Sequence, residues 1–115
     1  MSKAKLTNIE TDSWELADGE VKKEENPAAF FIPSLQSRQA LQPDDKVKLI
    51  LRIRTIDNND QEEDHDEGMW AIVRERMEDY YVGVLENSPE CTDEIKPGMV
   101  LHFEARHITQ IHIMK

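Results

Sequence analysis

Lys46-Val47-Lys48-Leu49-Ile50-Leu51-Arg52-Ile53-Arg54 is the stretch that decides the fold. Val47, Leu49, Leu51 and Ile53 fall on one side of an extended chain. Lys46, Lys48, Arg52 and Arg54 fall on the other, with Ile50 among them. A period of two with one apolar face marks a strand that covers a core. Asp44-Asp45, just upstream, supplies the turn that launches it.

Downstream, Asp57 to Gly68 carries no periodicity and is dense in acids, which predicts a mobile acidic loop joining two antiparallel strands. Met69 to Met77 reads as the second strand, with Trp70 and Ile72 on one face and Met69, Ala71 and Val73 on the other. Glu78-Asp79 turns the chain into a third strand, Tyr80 to Glu86. Gly83 within it signals a bulge or a close backbone approach. Asn87-Ser88-Pro89 ends that strand, and Lys96-Pro97-Gly98 is a strong turn signal. A fourth strand follows over Met99 to Phe103. Ala105-Arg106-His107 makes a short crossing, and Ile108 to Met114, with Ile111 and Ile113 alternating, forms a fifth.

Upstream, Ser34 stands as the N-cap of a short helix over Leu35 to Leu41, stopped by Pro43. Residues 1–26 read as a flexible acidic leader pinned at Trp14. Any helix through Leu6, Ile9 and Leu16 would be ended by Gly19 and the Glu24-Glu25-Asn26-Pro27 stretch. Residues 27–115 then form one α+β domain. Its expected architecture is a small twisted antiparallel sheet or partly closed SH3-like barrel of about five strands, with one short N-terminal helix.

The composition agrees with one small domain. The chain has 115 residues, 24 acidic against 14 basic, a net charge of -10 and a mean hydropathy of -0.68. No apolar run approaches the roughly 20 residues that cross a bilayer. The first residues lack the apolar core of a signal peptide, so a cytoplasmic protein with no membrane partner is expected. Cys91 is alone, which excludes an internal disulfide or a cysteine-rich zinc site. The charge is uneven: residues 27–56 carry a net +3, and residues 57–67 a net -7. Overall acidity disfavours general binding to nucleic-acid phosphates.

Gly68-Met69-Trp70 is followed by Tyr81-Val82-Gly83-Val84-Leu85-Glu86-Asn87-Ser88-Pro89, then by Lys96-Pro97-Gly98-Met99-Val100 and His107-Ile108. In combination, over about 40 residues, these motifs resemble the bacterial DUF2314 family. Its pattern is Met-Trp, Gly-x-Leu-x-Asn-x-Pro, Lys-x-Gly-Asp-x-Val and a late Ile. Met99 stands where that family has Asp, and the acid and Trp that follow its last Ile are missing here. The resemblance implies a small α+β or barrel-like bacterial domain and brings no established activity.

Candidate chemistry is thin. Asp57, Asp60, Asp64 and Asp66 are hard-cation ligand types, but Glu62 stands where an EF-hand loop needs Gly, so a solvated acidic loop is the expectation. His102, His107 and His112 are five residues apart. If the C-terminal strands curl together, two of them could share a zinc ion with His65 or Cys91. Leu101, Phe103, Ile111 and Ile113 claim the core face, which leaves His102 and His112 to solvent. Acidic neighbours blunt Cys91 as a nucleophile. There is no phosphate loop, nucleophile elbow or metalloprotease motif. No catalytic residue, metal or cofactor is therefore expected.

Two surfaces remain. Lys46, Lys48, Arg52 and Arg54, joined across a hairpin by Arg74 and Arg76, would form a basic patch flanked by Tyr80 or Tyr81. It would suit an acidic protein or single-stranded nucleic acid, unless the acidic run folds back and offsets it. Asp57, Asp60, Glu62, Glu63, Asp64 and Asp66 would steer the chain towards a basic partner. The expected function is a non-enzymatic protein-binding module, in the manner of an inhibitor or immunity protein. Trp70 and Tyr81 are its anchors if exposed. The alternative is a nucleic-acid-binding small barrel that uses the basic strand face.

Overall fold

The computed structural model describes residues 3–112. The alternating stretch forms β2, Lys46–Ile56, with Val47, Leu49, Leu51 and Ile53 buried on its inner face. The partner strand β3 is Glu62–Arg76, 15 residues long, and its pairing with β2 runs from Lys46↔Ile72 to Ile56↔Glu62. The acidic run is therefore not a loop. Only residues 57–61 form the turn, and Glu62–Glu67 lengthen the strand. Charge pairing across the hairpin supplies what the missing apolar alternation does not.

β4, Tyr81–Leu85, pairs with β3 and then with β5, Val100–Phe103, each antiparallel. A 3₁₀ turn at Ala105–His107 leads into β6, Ile108–His112, which returns to β2 at Lys46–Leu49. The rest of that edge of β2 is taken by β1, Trp14–Leu16, opposite Leu51–Ile53. The result is an α+β fold with a curled antiparallel sheet, the partly closed barrel expected. Ile113 lies outside the described residues. Phe103, Leu49, Leu51, Leu85, Ile108, Val47 and Val73 fill the interior.

Residues 3–25 are not a loose leader. Asn8 caps α1, Ile9–Asp12, and Asp18 caps α2, Gly19–Glu25, through side-chain oxygens that accept backbone N–H groups. Gly19 thus begins a helix and does not end one. Trp14 is buried in the core, the pinning point expected of it. Ser34 caps α3, Leu35–Gln39, also as expected. Arg38 on α3 is buried, donating to the carbonyls of Pro33 and Ala105 and to Glu20, so one guanidinium ties α3, the 3₁₀ turn and α2 together.

Gly83 is a close approach. A Cβ there would sit 2.8 Å from Phe103 Cε1 and 3.0 Å from the Ile72 carbonyl oxygen, beside a β3–β4 register shift between Val73 and Glu75. Among the described residues no helix is long and apolar enough to cross a membrane.

Candidate protein-docking surface

The outer face of the β2–β3 hairpin is a ladder of ion pairs. Register places Arg52 opposite Asp66 and Arg54 opposite Asp64. Arg52 Nε lies 2.9 Å from Asp66 Oδ1 and its Nη2 3.2 Å from Oδ2. Arg54 Nε lies 2.8 Å from Asp64 Oδ1 and its Nη2 3.1 Å from Oδ2. These two-pronged contacts match a planar guanidinium to a carboxylate. Lys22 also reaches Asp66 at 2.8 Å, and Glu10 reaches Arg54 at 3.2 Å. The Arg52 hydrogen bonds hold the Asp66 carboxyl below the usual range, and those of Arg54 do the same for Asp64.

The expected basic patch is thus internally neutralised. Lys46 pairs with Glu86 at 2.9 Å and Arg74 with Asp44 at 3.4 Å. Of the six cations read as one patch, only Lys48 and Arg76 have no ion pair among the described residues. Lys48 lies with its stem against Gly68, and Arg76 sits at the far end of β3. The acidic run has folded back along the basic strand as its partner.

The remaining acids gather at the hairpin tip. Asp57 Oδ1 accepts the N–H groups of Asn59 and Gln61, and Asp57 N–H donates to the Gln61 carbonyl, while Asp60 takes a left-handed φ of 59°. These contacts make a built turn, an Asx type that fixes the tip. Asp57 and Asp60 have no cationic partner among the described residues. Glu62 is 3.5 Å from Arg54, and Glu63 is 3.7 Å from His65. Ile56, 66% exposed, stands among them.

The two aromatic anchors part company. Trp70 is half-buried on the outer face, edge-on to His112 at 6.4 Å. Tyr81 is 4% exposed and is no docking residue. Its hydroxyl donates to the Arg38 carbonyl at 2.7 Å and accepts from Leu41 N–H, while its ring stacks on Phe103. Tyr80 is buried as well, stacked on His102.

The histidines diverge. His102 lies under the Lys5 N–H and His112 beside Trp70. His107 is buried, its Nδ1 accepting from Glu104 N–H. Burial pushes the His107 imidazole down to about 4. The signal for this structural role is the spacing Glu104-x-x-His107, which matches a capping box and makes the expected crossing a capped 3₁₀ turn. Among the described residues no three His, Cys, Asp or Glu side chains gather where a metal ion could sit.

Glu67 carries a role that sequence reasoning missed. Its carboxylate accepts the N–H groups of Glu90 and Cys91 at 2.8 and 3.0 Å, fastening the segment after β4 beneath β3. Burial, then the Glu67 carboxylate, pushes the Cys91 thiol up to about 11, so it stays protonated at neutral pH. Comparison with protein-family models, curated proteins and solved structures finds no match to this chain.

Proposed function

We propose that this chain is a non-enzymatic protein-binding module that docks a basic partner through the acidic β2–β3 hairpin. Inhibitor and immunity proteins of the bacterial cytosol are the class of role this suits. The observation that carries the reading is the division of charge along the hairpin. Arg52 and Arg54 are matched by Asp66 and Asp64, while Asp57 and Asp60, which have no cationic partner among the described residues, and Glu62 and Glu63, whose nearest cationic groups are Arg54 at 3.5 Å and His65 at 3.7 Å, make an acidic tip on a fixed turn. A rigid, single-sign projection raises the encounter rate with an oppositely charged partner and fixes its approach. The alternative, nucleic-acid binding through the strand face, would have to work with Lys48 and Arg76 or break existing pairs.

The test is capture from host lysate at modest salt by the wild-type chain and by Asp60→Asn/Glu62→Gln/Glu63→Gln. Asp57 is spared because it builds the turn. One stoichiometric basic protein held by the wild type and lost by the variant is the expected result. Equal capture by both, or none by either, overturns the assignment. Oligonucleotide retention that weakens steeply with salt would favour the alternative.

A further inference from the structure

On β2, Ala17 N–H donates to the Ile50 carbonyl and Arg54 N–H to the Ser13 carbonyl, so even-numbered β2 residues face β1 and odd-numbered ones face β3. Register carries this across the hairpin. On β3 the odd-numbered residues bond to β2, and the even-numbered ones turn their N–H and C=O groups away. At Trp70 that outer edge is satisfied: its carbonyl accepts Glu86 N–H, and its N–H donates to Asn87 Oδ1. At Glu62, Asp64, Asp66 and Gly68 no backbone group has such a partner among the described residues. β4 pairs only with Ala71–Arg76, so about half of β3 is an open sheet edge.

We propose that this open edge of β3 receives an extended basic segment of a partner protein by strand addition. The inference rests on the protein-binding reading above and names how the partner is held. Two independent observations select the occupant. The first is charge: Glu62 and Glu63 lie on the edge strand, and Glu90 is tied beside it through Glu67, none with a strong cationic partner. A second copy of β3 would bring acid against acid, so self-pairing is disfavoured and a lysine- or arginine-bearing strand is favoured. The second is shape: a groove of about 440 Å³ crosses the outer face from Thr109 and Gln110 of β6, over Lys48 and Ile50 of β2, to Asp66 and Gly68 of β3, with Phe30 and Phe31 in its wall. Phe31 is 76% exposed there. Asp66 and Gly68 thus belong both to the open edge and to a groove with an exposed aromatic side chain, and strand-addition sites combine main-chain affinity with side-chain selection in this way. The occupant is then a strand with basic residues on one face and an apolar residue on the other.

The experiment uses the full chain and a blocked peptide, Lys-Thr-Lys-Leu-Lys-Thr-Lys, followed by NMR. The controls are the same peptide N-methylated on alternate amides, made in both registers. Binding should slow amide exchange at Asp64, Asp66 and Gly68, and one N-methylated register should bind at least about fivefold more weakly. Two variants separate hydrogen bonding from charge. Asp64→Asn keeps the outward N–H, whereas Asp64→Pro removes it at an edge position that tolerates proline. Asp64→Pro should bind about fivefold more weakly than Asp64→Asn while β2 and β6 amides stay protected. Equal binding of all three peptides without edge protection would overturn strand addition while leaving docking by charge intact. No binding of any peptide would also overturn it, and the lysate capture would then decide the protein-binding reading separately.

Discussion

Arg54 and Asp64 face each other across the β2–β3 ladder, and two parallel hydrogen bonds of 2.8 and 3.1 Å join them. The pair stands just beyond Ile53, the last β2 residue opposite β1; Arg54 N–H still donates to the Ser13 carbonyl, and past it Thr55 and Ile56 pair with β3 alone. Arg54→Glu would set like charges opposite each other at that point. The expected result is faster amide exchange at Thr55 and Glu63 with little change in the global melt, and recovery in Arg54→Asp/Asp64→Arg. Unchanged exchange would mean that the tip is held by its turn alone.

His107 predicts a pH window. Its folded pKa of about 4 lies below the ordinary 6.5. Above 6.5 it is neutral in both states and its contribution is complete. Between 6.5 and 4 the unfolded chain takes up a proton that the folded chain refuses, so stability falls as pH falls, by about 3 kcal/mol over the window. Urea melts at several pH values should show this slope. His107→Gln, which keeps an acceptor for Glu104 N–H, should flatten it; an equal slope would place the effect elsewhere. Asp64 and Asp66, held low by their arginines, lose their contribution as pH falls through their own depressed range, below the histidine window.

Trp14→Ala removes the buried anchor of β1. The expected loss is about 3–5 kcal/mol by denaturant unfolding, the usual cost of emptying a large aromatic site in a core. A loss below about 1 kcal/mol would make residues 3–25 a separate, weakly held appendage.

Gly83→Ala places a methyl 2.8 Å from Phe103 Cε1, with the Ile72 carbonyl oxygen at 3.0 Å. The ring is fully buried and has no free direction, so a loss of about 1–3 kcal/mol is expected. A neutral substitution would show that the β4–β5 seam has slack.

Sequence reading served best where the pattern is local. Val47 to Ile53 alternates, Ser34 precedes a short helix, and Gly83 breaks a strand of larger residues; each carries its meaning within a few positions. The acidic half of β3 does not. Glu62–Glu67 has poor strand propensity and no apolar period, and what makes it a strand is Arg52 and Arg54, ten to fourteen positions earlier. Laying Arg52 and Arg54 antiparallel against Asp66 and Asp64 across a five-residue turn would have exposed both the pairing and the loss of the basic patch. The burial of Tyr81 is not legible locally, because an aromatic's exposure depends on which face of β4 lies inward, which β3 and β5 decide. Residues 3–25 hid their order because β1 is three residues long, although Asn8 and Asp18 were legible as caps.

The two strands that share one edge of β2 come from opposite ends of the sequence. β1 is complete before β2 is made, but β6 begins at Ile108, 52 residues after β2 ends at Ile56. At about 5–20 residues per second, a ribosome takes roughly 3–10 s to cover that distance. Throughout that interval Lys46–Leu49 waits with its half of the seam bare, and only the late arrival of β6 zips it shut.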